Sequence, residues 1–246
     1  MARRTKQERS MSLLVGCPVI LPPRDDVIAS WTHRPHMIIV NAPTDDGQHE
    51  WAALAPMRDI YNIGWKPAVN CGVARSWNMI FEQAQRTGYS HVALISQGVV
   101  LEGGTAHLAE LVDEYADERG LLTDFAWHCI VLSVKTWEQL GPFDTTFSPA
   151  YYEDSDYVRR LFLAGLHTPD NRMPKVERDL LDGTETVAAA KHLIPPETYG
   201  RNASTFELKW GGPPFKETFT IPYEPGSYNT RHNWSSADTD HLGRSK

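Results

Sequence analysis

The sequence predicts an α/β domain with a mostly parallel central sheet flanked by helices and an irregular C-terminal extension. Three observations carry this. Short apolar runs of strand length alternate with segments of helical spacing through residue 140. Gly and Pro fall at many of the junctions between them. The chain has 246 residues, 41% of them hydrophobic, which is ample for one buried core.

Residues 1–11 read as a flexible basic arm. Ser12–Ile20 (SLLVGCPVI) is a buried strand stopped by Pro22-Pro23, and a short helix follows through Asp26–Trp31. His36–Asn41 is a second strand ending in the turn-rich APTDDG, and a weaker one lies near Ile60–Trp65. From Val73, the residues Trp77, Ile80, Phe81 and Ala84 keep helical spacing, and Gly88 closes the helix. His91–Ile95 is a short apolar strand broken by Gln97-Gly98. Gly103-Gly104-Thr105 launches a helix to about Gly120 with Thr105 as N-cap. Phe125–Ser133 forms a long strand, followed by a short helix at Thr136–Leu140 and the stop Gly141-Pro142. Glu153-Asp154-Ser155-Asp156 opens a helix over Tyr157–Ala164, ended by Gly165. The rest, rich in Pro, Gly and Asn, is expected to wrap the sheet as loops and short helices, and 226–246 to form a polar tail. Ligands of such sheets sit at the carboxyl ends of the strands, which brings forward Asn41, Ser96 and the residues after Ser133.

Charge narrows the partners. The chain carries 24 Lys+Arg against 31 Asp+Glu, a net charge of −7. Arg3, Arg4, Lys6 and Arg9 oppose only Glu8 in the first ten residues, leaving twenty basic against thirty acidic residues beyond them, a net −10. Such a body disfavours a broad nucleic-acid face. No apolar stretch approaches the roughly 20 residues that span a bilayer. The start is polar and lacks an apolar signal core, so a cytoplasmic protein is expected. Cys17, Cys71 and Cys129 are odd in number, form no CxxC and read as reduced, buried thiols.

Three segments together resemble the family 2 glycosyltransferases, which have the GT-A fold. The first is Asn70-x-Gly72-x-Ala74-x-Ser76-x-Asn78. The second is Leu94–Thr105 (LISQGVVLEGGT), similar to the family's LLNDDVVLEPGT. The third, Leu140–Leu166, resembles G-x-F-D-x-x-F…E-D-x-D-x-x-R-x-x-x-x-G, and a later KWGG at Lys209–Gly212 also recurs in such sequences. The resemblance covers roughly residues 12–215. It implies a GT-A domain over 12–225, with a nucleotide-binding half at about 12–105 and an acceptor half at about 106–225. It also implies transfer of a sugar, with inversion, from a nucleotide-sugar donor to a hydroxyl of a glycan or protein.

Such chemistry needs a base on the acceptor hydroxyl, and the resemblance gives this role to Asp154, with Glu153 and Asp156 orienting the acceptor or the base. Acidic residues at a helix start also complement its dipole without catalysis. The family's Asp-rich motif normally holds a divalent cation, Mn or Mg, on the diphosphate. Here the aligned positions are Ser96, Gln97 and Gly98, none of them charged, which disfavours the metal. Arg178, in Val176-Glu177-Arg178, aligns with a metal-binding His of relatives. It could supply fixed positive charge instead, as could the nearby Arg172 or Lys175. His167 and His192 are weaker metal candidates.

For the donor, Pro18 and Val19 after the first strand and Asn41 after the second would flank the base, with Asp45 or Asp46 compensating for a family Asp near Asn41. Asn70, Arg75, Ser76 and Asn78 lie at the start of the next helix, which suits an anionic diphosphate; turn and cap formation is the competing role for the two Asn. Eight Trp offer stacking surfaces for sugars. Trp127, Trp137, Trp210 and Trp234 are candidates beside His128, with core packing as the alternative. A sugar- or nucleotide-binding protein without catalysis, and a sugar transferase acting on modified nucleic acid, are the other functions weighed.

Overall fold

The computed structural model describes residues 12–19, 25–31, 36–40, 71–115, 122–123, 128–166, 176–179 and 194–222. In chain order these form β1 (Leu13–Val19), α1 (Asp25–Ser30), β2 (His36–Val40), α2 (Val73–Thr87), β3 (His91–Ile95), β4 (Val99–Leu101) and α3 (Gly104–Tyr115). They continue with β5 (Leu122–Thr123), β6 (Cys129–Ser133), α4 (Val134–Leu140), α5 (Glu153–Leu163), β7 (Val176–Asp179) and α6 (Thr198–Trp210).

The central sheet has the order β2-β1-β3-β6-β5. β1 pairs in parallel with β2 and β3, while β6 runs antiparallel between β3 and β5. Four of the five strands therefore point one way, a mixed sheet that is mostly parallel. Alternation along each strand feeds two cores. Leu14, Ile39, Leu94 and Leu132 face α2, α4 and α5. Leu13, Val15, Ile95 and Val131 face β4 and α3 through Val99, Leu108 and Val112. Both faces are covered, so the strands read as continuous apolar runs.

The sequence rationale for α2 is borne out. Ala74, Trp77, Ile80, Phe81 and Ala84 are its buried stripe, and Gly88 caps it in the left-handed conformation. Ile80 packs so closely on β1 that a Cβ on Gly16 would lie 2.5 Å from its Cγ2. Phe81 stacks on Trp137 and Phe143 on Tyr157, which joins α2, α4 and α5 through rings rather than loops.

Several boundaries differ from the sequence reading. Gly103 and Gly104 both take positive φ and turn the chain, so Thr105 lies buried inside the first turn of α3 rather than capping it. Ser133, whose hydroxyl accepts from the Thr136 amide, starts α4 two residues before Thr136. The acidic cluster forms the first turn of α5 instead of preceding it. The largest difference is α6, a helix of 13 residues where loops and short helices were expected. Its buried positions are Thr198, Asn202, Phe206 and Trp210, every fourth residue, and two of the four are polar. An apolar pattern cannot reveal a stripe of that kind. β4, β5 and β7 were likewise unforeseen, each only two to four residues long. The expected strand near Ile60–Trp65 lies outside the described residues. No helix among the described residues is long and apolar enough to cross a membrane.

Candidate active site

The carboxyl ends of β1 and β3 meet at one edge. Gly16 pairs with Leu94, so Pro18 and Ser96 end neighbouring strands in step. Ser96 donates its amide to the His128 carbonyl at 2.7 Å, which brings the start of β6 to the same place. Ser96-Gln97-Gly98 then turns the chain into β4, whose partner is β7. In that two-stranded sheet Val100 lies opposite Arg178 and Val99 opposite Asp179. The register thus puts Arg178 two residues beyond the turn, with Asp179 nearer to it. The turn itself carries a hydroxyl, a carboxamide and backbone but no carboxylate; Asp179, opposite Val99, is the nearest acidic residue in the strand register. Among the described residues, no group of three His, Cys, Asp or Glu could hold a metal ion.

The second half of the site reaches this edge through α2. The Ser90 amide, just past the end of α2, bonds to Ser12 before β1, so the start of α2 lies at the opposite, carboxyl end of the sheet. There Val73 donates its amide to the Pro149 carbonyl at 2.8 Å. Gly72 has φ 84°, and a Cβ on it would lie 2.9 Å from that same carbonyl oxygen. The segment leading into α5 is therefore docked on the N-terminus of α2. It is also strained: Tyr151 and Tyr152 have φ of 76° and 74°, which costs non-glycine residues roughly 1–2 kcal/mol each. Asn202 holds the strain in place, its buried amide donating to the Ala150 and Tyr151 carbonyls at 2.8 and 3.1 Å. The Arg201 guanidinium donates to the Ser148 carbonyl.

This turn delivers Glu153 and Asp154. Glu153 is buried, and its Oε2 has no hydrogen-bond partner among the described residues. Burial, reinforced by the neighbouring Asp154, pushes its carboxyl up to about 8. Asp154 is half-buried and also raised by burial, against hydrogen bonds to Oδ1 from the Ser155 amide and hydroxyl at 2.7 and 3.3 Å. Raised to about 8, the Glu153 carboxyl keeps its proton at neutral pH.

Asp156 sits differently. It is fully buried; Trp210 Nε1 donates to its Oδ1 at 2.8 Å, Lys209 Nζ is 2.7 Å from the same oxygen, and Arg160 pairs with Oδ2 at 3.1 Å. Lys209 also reaches Asp144 at 2.6 Å and holds that carboxyl below its ordinary range, though burial opposes it. Asp156 is thus the anchor of α6: Trp210 and Lys209 share its Oδ1, while its Oδ2, ion-paired with Arg160 but not hydrogen-bonded, is buried away from solvent. Trp210 belongs to the same anchor, its indole inside the fold. Trp137 is buried against Phe81. Asn78 spends its amide on Phe143, donating to that carbonyl at 2.9 Å and accepting from that amide at 2.8 Å. Arg75 is exposed on the first turn of α2, Ser76 is buried with its hydroxyl on the Gly72 carbonyl, and Val19 is buried. Asn41, Asp45, Asp46, Asn70, Trp127, His167, Arg172, Lys175, His192 and Trp234 lie outside the described residues. Arg201, Asn202 and the role of Lys209 escaped the sequence reading; KWGG was the only signal for the last of them.

No sequence family matches the chain, and no curated protein does either. Solved structures do. The mannosyltransferase PcManGT from Pyrobaculum calidifontis, in complex with GDP-Man and Mn2+, aligns with TM-score 0.50 at 16% identity, over 74% of this chain and 62% of its own. S. aureus TarS 1-349 in complex with UDP aligns with TM-score 0.48 at 10% identity, over 76% of this chain and 66% of its own. The chain therefore spans less than two thirds of the mannosyltransferase. At such identity the first likeness speaks for the fold and the second, weaker one adds no argument. With the strand order above, it makes this chain a GT-A-like α/β domain, the fold that its motifs imply.

Proposed function

We propose that the chain is an inverting glycosyltransferase that moves a sugar from a nucleotide-sugar donor to a hydroxyl of a glycan or protein. The observation that carries the proposal is the Glu153-Asp154 pair, set on the first turn of α5 by a strained, clamped turn that docks on the start of α2. In the reaction the acceptor oxygen attacks the anomeric carbon and its proton passes to Asp154. The bond from that carbon to the diphosphate oxygen breaks, and the electron pair leaves with the nucleoside diphosphate. One displacement inverts the centre. A protonated Glu153 keeps a second negative charge away from the base. Arg178, opposite Val100 in the strand that follows the Ser96–Gly98 turn, would stabilise the departing diphosphate, so that turnover would not require a divalent cation.

Nucleoside diphosphate release from a panel of nucleotide sugars, with manganese or with chelator, tests both parts. The expected result is release that survives the chelator and falls at least about a hundredfold in Asp154→Asn. Release by Asp154→Asn at the parent rate removes the base, and strict dependence on manganese removes the role of Arg178. The uncharged Ser96-Gln97-Gly98 turn favours one competitor, a nucleotide- or sugar-binding protein without catalysis. Tight nucleotide-sugar binding with no release from any donor would establish it.

A further inference from the structure

Two elements put tyrosines on the surface beside the carboxylate pair. Tyr151, from the turn before α5, is 44% exposed, and Tyr199, from the first turn of α6, is 58% exposed. Their rings meet edge to face with centroids 5.6 Å apart. Tyr152 backs the pair, its ring 5.3 Å from Tyr199 and 5.6 Å from Phe206, and Phe206 belongs to the buried cluster with Phe147 and Trp210. The exposed rings therefore stand on the core rather than trailing from a loop.

The backbone makes this arrangement unusual. Holding Tyr151 and Tyr152 in left-handed conformations is unfavourable, and Asn202 and Arg201 are committed to maintaining it. The strain leaves Tyr151 at the surface, so burial of that ring is not what it achieves. It fixes an aromatic face within one turn of Asp154, near enough that the Asp154 charge acts on Tyr152. A phenol presents an apolar face to the C–H face of a pyranose and a hydroxyl to its rim. A lone serine or threonine side chain would gain little from a plate of that width. The Tyr152 hydroxyl is hydrogen-bonded with that of Tyr199, the carboxylates that act on it are Glu207 and Asp154, and Arg201 on the same helix is turned to the Ser148 carbonyl. An anionic acceptor is disfavoured there.

The geometry points to Tyr151 and Tyr199 as an acceptor platform that stacks an uncharged sugar ring of a glycan and turns one of its hydroxyls toward Asp154. The inference rests on the glycosyltransferase reading for the identity of the acceptor, and its test is separable from that reading. Saturation-transfer NMR on the full chain, with methyl hexopyranosides and neutral disaccharides as probes, reads binding without turnover. The expected result is saturation of one face of at least one probe, weakened about five- to tenfold in Tyr199→Ala and retained in Tyr199→Phe. Tyr199→Ala removes an exposed ring, and an unchanged melting temperature checks its fold; Tyr151→Ala provides a second variant. Absence of transfer to every neutral sugar, or equal transfer to the parent and both alanine variants, overturns the platform. Tyrosine-dependent sugar binding without release from any nucleotide sugar supports the platform and overturns the enzyme instead.

Discussion

At the scale of single residues, three carboxylates spaced within four positions have three different environments. Glu153 is buried with its Oε2 unpaired among the described residues, Asp154 is half-buried with Ser155, and Asp156 is buried in an ion-pair knot. The first of these makes stability depend on pH. An acid whose folded pKa is raised from 4.5 to about 8 binds its proton more tightly when folded, so it loses stability as pH climbs through that window. Glu153→Gln cannot ionise. Its urea midpoint is expected to match the parent near pH 5 and exceed it by a few kcal/mol equivalent above pH 8. Parallel pH profiles would contradict this account of Glu153. The acidic motif itself was legible in the sequence, because its residue types and spacing are local. Its division of labour was not. Whether an Asp faces solvent or a tryptophan 54 positions away depends on packing, and Asp156 with Trp210 shows how widely the two can be separated along the chain.

At the scale of elements, the site is an assembly of helix ends. α2 supplies the dock for Pro149, α6 the clamp on Ala150 and Tyr151, and α5 the carboxylates. Lys209 ties α6 to both Asp144 and Asp156, and Lys209→Met would leave two carboxylates without their shared cation. A loss of about 3 kcal/mol is expected in chemical denaturation. An unchanged midpoint would show that Arg160 and Trp210 suffice. Gly72→Ala tests the other end: its Cβ meets the Pro149 carbonyl at a position of positive φ, so a cost of about 1–3 kcal/mol is expected, with loss of turnover from displacement of the turn. Full activity would show that the α2 dock does not position the carboxylates. These elements were unequally legible. The repeating apolar stripe of α2 and the continuous run of β3 follow from hydrophobic period. The stripe of α6 is polar at Thr198 and Asn202 and aromatic at Phe206 and Trp210, and Asn202 faces backbone carbonyls rather than apolar side chains.

At the scale of the whole molecule, charge sets the remaining problem. On the proposed function, a chain of net charge −7 needs its positive potential concentrated where an anionic donor would bind. The register of β4 against β7 makes Arg178 the residue to test. In calorimetric titration Arg178→Ala is expected to weaken nucleoside diphosphate binding about tenfold, near 1.4 kcal/mol, and to leave the bare nucleoside unaffected. Equal weakening of both would assign Arg178 to folding rather than to phosphate.

The ties of α5 to the C-terminal segment also bear on synthesis. Besides the Lys209 knot, Arg159 donates to the Phe219 carbonyl and pairs with Glu217. A ribosome that has translated through Asp156 has made every acidic residue of the site, yet the clamps at Arg201, Asn202 and Lys209 and the support at Phe219 emerge only later. Nascent or prematurely terminated chains would therefore carry Glu153 and Asp154 in an unformed turn. The turn that the proposed activity needs would be complete only with the last of these contacts.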